Sequence, residues 1–186
     1  MPIGSLWLPG LVSAVAVFVL SSLLHMVLKY HRADYRQLAG EESVAEALRR
    51  SAPAPGVYLI PYVGDPALLK DPAVRKRFED GPVAQVVIGK NGPPAMGKYL
   101  GQWFLFCLLA SFVTAYVARH TLTFGSSGLE VLRITGVVAF VAYAFGYLQD
   151  SIWRAIPWSS ALRGLVDAAL YALATGLVFR LLWPTA

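Results

Sequence analysis

Four side chains in an otherwise apolar chain could do chemistry: His25, His31, Asp34 and Asp167. Imidazole and carboxylate groups can ligate a transition metal, pass a proton or hold a cation. Their spacing weighs against a metal. On a continuous helix, six residues from His25 to His31 amount to about 600° of rotation and about 9 Å of rise, so the rings point about 120° apart. They cannot share one ion unless the helix breaks between them. Asp34 lies three residues past His31, within reach of that ring or of Arg36. His25 reads as an interfacial hydrogen-bonding group, and a proton or ligand role stays open because an ionisable group in a membrane-grade segment is a functional candidate by default. No metal and no cofactor is predicted.

Asp167 follows Arg163 by four residues, the spacing at which side chains on a helix meet. A lone carboxylate at a bilayer centre costs about 2.5–3.5 kcal/mol on the insertion scale. With a cation one turn away, Asp167 is expected to form a structural pair with Arg163. The familiar catalytic spacings are missing: the sequence has no HExxH, GxSxG or CxxC pattern. An enzyme is therefore disfavoured, though not excluded.

The elements that must position these residues are membrane helices. The chain has 186 residues, 56% hydrophobic and 15% charged, where soluble domains average about 25% charged. Spans are read at 6–29, 98–118, 131–149 and 160–183, each long enough or nearly so to cross about 30 Å of hydrocarbon. The first is too long for the core of a cleaved signal peptide and lacks a basic lead. The single cysteine, Cys107, falls mid-span and reads as a small apolar core residue. Four spans put 13 lysines and arginines on one side and 3 on the other. The positive-inside rule then places both termini in the periplasm and residues 30–97 in the cytoplasm. The net charge of +5 is largely topological, so no nucleic-acid partner is read from it.

Residues 30–97 read as a small α+β juxtamembrane subdomain against the inner face. "YHRADYRQL" is expected to prolong the first helix along the headgroups, with Gly40 as its stop. "EESVAEALRR" has acids first and arginines last, which suits a short helix. "GVYLIP" and "PVAQVVIGKNG" are strand-like and flank "DPAVRKRF", where Asp71 caps a helix opened by Pro72. Arg75, Lys76 and Arg77 could touch anionic headgroups. "KNGPPAMGK" lacks the spacing of a phosphate loop and reads as a hinge.

Gly164, Ala168, Ala172 and Gly176 recur every fourth residue, the pattern that lets membrane helices pack closely. Span three offers Gly136, Ala139 and Gly146 as a facing surface; span two offers Ser111, Thr114, Ala115 and Ala118. On the outer side, Arg119, His120, Arg133 and Arg180 could form a basic rim.

Through "YHRADYRQL", "GPPAMGKYLGQWF" and "SIWRAIPWS" followed by Asp167, Tyr171 and "LLWP", the chain resembles a family of small bacterial four-span proteins described only as hypothetical membrane proteins. The resemblance covers most of the chain. It implies a bacterial inner-membrane location and no activity.

The leading functional reading is an all-α, four-span membrane protein with an α+β insertion, serving without catalysis as an accessory subunit or assembly factor. Its partners would be anionic lipid and other integral membrane subunits. The alternatives are a small transporter or channel using His25 and Asp167, and a lipid-modifying enzyme using His31, Asp34 and the basic loop. A dry core with a large lateral contact favours the first reading, a wet cavity at Asp167 the second, and a headgroup-sized cleft near span one the third. The topology is tested by thiol labelling of intact cells on a Cys107→Ala background. Ile3→Cys should react from outside and Asp65→Cys should not; the opposite pattern would invert every assignment of sides.

Overall fold

The computed structural model describes residues 3–184. These form two compact units, one from the residues up to Arg36 together with those from Ala95 onward, and one spanning Gln37–Pro94. The helices of the first unit begin with a 3-10 turn, Ile3–Leu6, leading into α1, Trp7–Ser22. After the insertion, which contributes α2 (Glu41–Ser51) and α3 (Pro72–Asp80), come α4 (Met96–Thr121), α5 (Gly128–Trp153) and α6 (Trp158–Leu181).

Four helical segments of 24 to 26 residues, Gly4–Val27 and α4 to α6, have mean hydropathies of 1.5 to 2.1. Each is long and apolar enough to cross a membrane at 1.5 Å rise per residue. Their apolar residues are apolar all round, so burial cannot come from amphipathicity. Small residues decide the packing. α1 lies against α4 and α6, α4 against α5, and α5 most extensively against α6. Ser13 of α1 and Ser111 of α4 share a buried hydrogen bond of 3.0 Å, and Ala14, Cys107, Ala110, Ala139 and Ala168 fill one core cluster. Cys107 is fully buried. α5 starts at Gly128, three residues before the apolar run, because Ser127 and Glu130 form a reciprocal capping box.

α6 is the most enclosed helix, with 44% of its apolar window buried against 28% in each of the others. Gly164, Ala168, Ala172 and Gly176 are all buried. A methyl group at Gly164 would come within 2.6 Å of the Tyr147 ring, and one at Gly176 within 3.0 Å of the Leu132 carbonyl oxygen. The ridge therefore meets α5 of the same chain.

The insertion contains strands β1 (Gly56–Ile60) and β2 (Ala84–Ile88), antiparallel with Tyr58 opposite Val86. Between them lie a 3-10 turn, Pro66–Lys70, capped by Asp65, and α3. Asp71 accepts a hydrogen bond of 2.7 Å from the Ala73 amide, with Pro72 at the first helical position. Neither α2 nor α3 buries a residue, so this unit has little core. It ends at Pro94, within the glycine- and proline-rich "GPPA" read as a hinge.

Gly176→Leu should lower stability by about 1–3 kcal/mol through overpacking against the α5 backbone. Gly146→Ala, where a methyl would meet nothing within 4 Å, should be neutral or stabilising by about 0.5–1 kcal/mol. Thermal unfolding of the purified chain in detergent reads both; equal stability of the two variants would place the ridge outside the α5–α6 contact.

Candidate functional site

The first helix does not continue through "YHRADYRQL". Its last turns widen into a π turn, Leu23–Val27, where the Leu28 amide bonds the Leu23 carbonyl at 3.2 Å. Lys29 then takes a left-handed conformation, φ 55°, and a 3-10 turn, Tyr30–Asp34, follows. A non-glycine residue in that region costs about 1–3 kcal/mol and persists only where its surroundings hold it. Gly40 is accordingly not a stop for the first helix; at φ 74° it sits at the N-terminus of α2. The break removes the geometric objection to pairing the histidines. His25 and His31 stack nearly parallel, with ring centroids 4.3 Å apart.

The returning turn meets α6. His31 Nδ1 lies 2.7 Å from Asp34 Oδ2, and His31 Nε2 lies 2.7 Å from Asp167 Oδ2. His25 Nε2 is 3.7 Å from the same Asp167 oxygen, while its Nδ1 lies 3.0 Å from the Ser21 carbonyl. Arg163 does not pair with Asp167. Its Nε and Nη2 both donate to Asp34 Oδ1, at 2.8 and 2.5 Å. The expected i,i+4 pair yields because the fold delivers Asp34 to the guanidinium and two imidazoles to Asp167.

Burial alone would raise the Asp34 pKa, but hydrogen bonds from Arg163, Ser160 and His31, together with the Arg163 charge, hold it down at about 2. Asp34 is thus an acceptor at any ordinary pH. A carboxylate depressed in this way adds stability above its usual titration range, and the contribution is lost only as pH falls through about 2.

Beside this cluster is a cleft of about 430 Å³ lined by Ser21, Ser22, His25 and Met26, by Met96, Leu100 and Trp103 of α4, and by Tyr147 and Tyr171. Its wall is mostly apolar. Trp103 Nε1 donates to Ser21 Oγ at 2.8 Å, which fixes the indole across the α1–α4 contact. The sequence reading overlooked Arg163 as a clamp on Asp34, and Trp103 and Tyr147 as cleft walls. Only their aromatic character near span ends hinted at a site.

The remaining candidates lie elsewhere. Arg119 and His120 end α4, Arg133 lies in the second turn of α5, and Arg180 lies in the last turn of α6, at the opposite end of the helices from His25. Among these, Arg180 packs alongside Gly128, and His120 Nδ1 lies 2.7 Å from the Tyr116 carbonyl. Arg75, Lys76 and Arg77 are exposed on α3, with Lys76 paired to Asp80 at 3.2 Å. No protein-family description, curated protein or solved structure matches the chain.

The Arg163 clamp should hold the His31 turn in place. Hydrogen bonds to a charged group contribute about 1.5–3 kcal/mol, so Arg163→Met should raise the open population of this turn by about 10- to 100-fold. Trypsin cleavage after Lys29, Arg32 and Arg36 of the folded protein should accelerate accordingly. An unchanged cleavage rate would mean that the clamp does not hold the turn.

Proposed function

We propose that this is a lipid-modifying enzyme of the bacterial inner membrane, with both termini periplasmic and the His25 end of the helices at the cytoplasmic face. The observation that carries the reading is the position of His25, which is at once a wall of the 430 Å³ cleft and a neighbour of Asp167 at 3.7 Å. An acyl chain suits Met26, Met96 and Leu100, and its polar head would then meet the imidazole–carboxylate cluster. Polar groups converging at one edge of a mostly apolar pocket are the usual anatomy of a small-molecule site. The charge asymmetry of the sequence supports the orientation.

The accessory-subunit reading keeps one specific observation in its favour. An open groove of about 330 Å³ runs over the outward side of α5 and α6, lined by Leu132, Gly136, Val137, Phe140, Ala169 and Leu173 among others. A helix of another integral subunit would fit such a small-residue channel. The transporter reading has less support, since beyond Asp167 the interior is filled by Tyr171, Tyr143, Cys107 and Ala168.

The lipid reading is tested by native mass spectrometry of the chain released from bacterial-lipid nanodiscs. Wild type should retain lipid, and Ser22→Trp, which fills the cleft, should reduce retention by about tenfold, equivalent to about 1.4 kcal/mol. Equal retention by the two proteins overturns the assignment of the cleft.

A further inference from the structure

The hydrogen-bond inventory around Asp167 is short of positive charge. The Ser21 carbonyl can only accept, so the His25 Nδ1 beside it carries the proton and a neutral His25 presents a bare lone pair at Nε2. Asp34 accepts twice from Arg163 through Oδ1 and faces His31 through Oδ2, so His31 Nδ1 carries a proton too. Each ring therefore spends Nδ1–H on an outer acceptor and turns Nε2 toward the carboxylate of Asp167. That carboxylate has no exposed surface, and its second oxygen, Oδ1, has no hydrogen-bond partner among the described residues.

We propose that His25 Nε2, His31 Nε2 and Asp167 together bind a divalent transition-metal cation of the zinc, cobalt and iron(II) class. The three ligand atoms lie within 4.8 Å of one another. Ligands held about 2.0–2.1 Å from one ion stand about 3.0–3.4 Å apart. The observed separations of 2.7 and 3.7 Å bracket that range, so binding widens the His31–Asp167 contact and draws His25 inward. His25 can make that move, because its side chain is 47% exposed and sits on the π turn. It must also tilt out of its stack with His31 so that both rings point at the ion.

The outer groups are those a metal site uses. Ligating histidines donate their other N–H to a carboxylate or backbone carbonyl, which fixes tautomer and ring orientation. Here Asp34 serves His31, the Ser21 carbonyl serves His25, and Arg163 holds Asp34 in turn. Asp167, Asp34 and Arg163 sum to one negative charge, which a dication reverses to one positive. Two imidazoles and a carboxylate select a borderline transition metal over calcium or magnesium, which prefer all-oxygen sites. Three protein ligands leave coordination positions open, as in catalytic rather than structural sites. With His25 on the cleft wall, an open position can face a bound headgroup.

The inference supplies the lipid-active reading with an electrophile but rests on the side-chain cluster alone. The two fail separately, because metal binding and lipid retention are measured independently on the same preparations. The full chain, purified in detergent through a tag without histidines, is titrated with Co²⁺ and followed by visible absorption. The expected result is a ligand-field band saturating at one equivalent and displaced by Zn²⁺. His25→Gln, His31→Gln and Asp167→Asn should each weaken binding at least about 100-fold, and Asp34→Asn by about 10- to 100-fold. His120→Gln should leave it unchanged. If the buried variants fail to fold, His25→Gln, at a half-exposed position, carries the test. A wild type without a saturable band overturns the proposal, as does a band that survives His25→Gln or depends on His120.

Discussion

A carboxylate with no exposed surface dictates much of this structure. Asp167 is the tenth of the 24 residues of α6, and a charge withdrawn from water must be met by cations or donors of the protein. Its own helix offers none: Arg163 is committed to Asp34, and the Tyr171 hydroxyl has no hydrogen-bond partner among the described residues. The groups that meet Asp167 come from the end of the first helix, which cannot present both histidines while it remains regular. The π turn and the left-handed Lys29 follow from that demand. Their backbone cost of about 1–3 kcal/mol is matched by the charge-assisted bonds that Asp34, brought in by the same turn, accepts from Arg163 and His31, at about 1.5–3 kcal/mol each.

Packing and site are built from the same residues. Gly164 begins the small-residue ridge of α6, yet the atoms a side chain there would strike belong to Tyr147. That ring forms part of the cleft wall. The glycine lets α5 approach and also gives the tyrosine its place beside the site. Farther along α6, where Gly176 meets the Leu132 carbonyl, the same ridge makes only a packing contact. One periodic feature thus does two jobs along its length.

Much of the frame is legible in the sequence because it rests on local or additive signals. Hydropathy sums over whole spans, small residues repeat in register, and the caps at Asp71 and Pro72 act within a single turn. The S-x-x-E pattern at Ser127 was equally local, but the apolar run begins later and drew the boundary with it. The site was not legible, for a physical reason. No glycine or proline lies between His25 and Asp34, so nothing local announces the break, and helical periodicity then places the two histidines on different faces. Arg163 misled in the same way: the i,i+4 rule describes an isolated helix, and a carboxylate from a distant segment outcompetes the neighbour. Residues that gain partners only through tertiary contact leave no periodic trace.

The chain path ties the insertion to this site without any need for surface contact. The helical unit ends at Arg36 and resumes at Ala95. Asp34, clamped by Arg163 and bonded to His31, lies two residues before the first boundary. Met96, which opens α4 and lines the cleft, lies one residue after the second. Both stems of the insertion therefore start from residues whose positions the cluster or the cleft determines. The insertion is thus joined to the helical unit beside the cluster at Asp34 and beside the cleft at Met96.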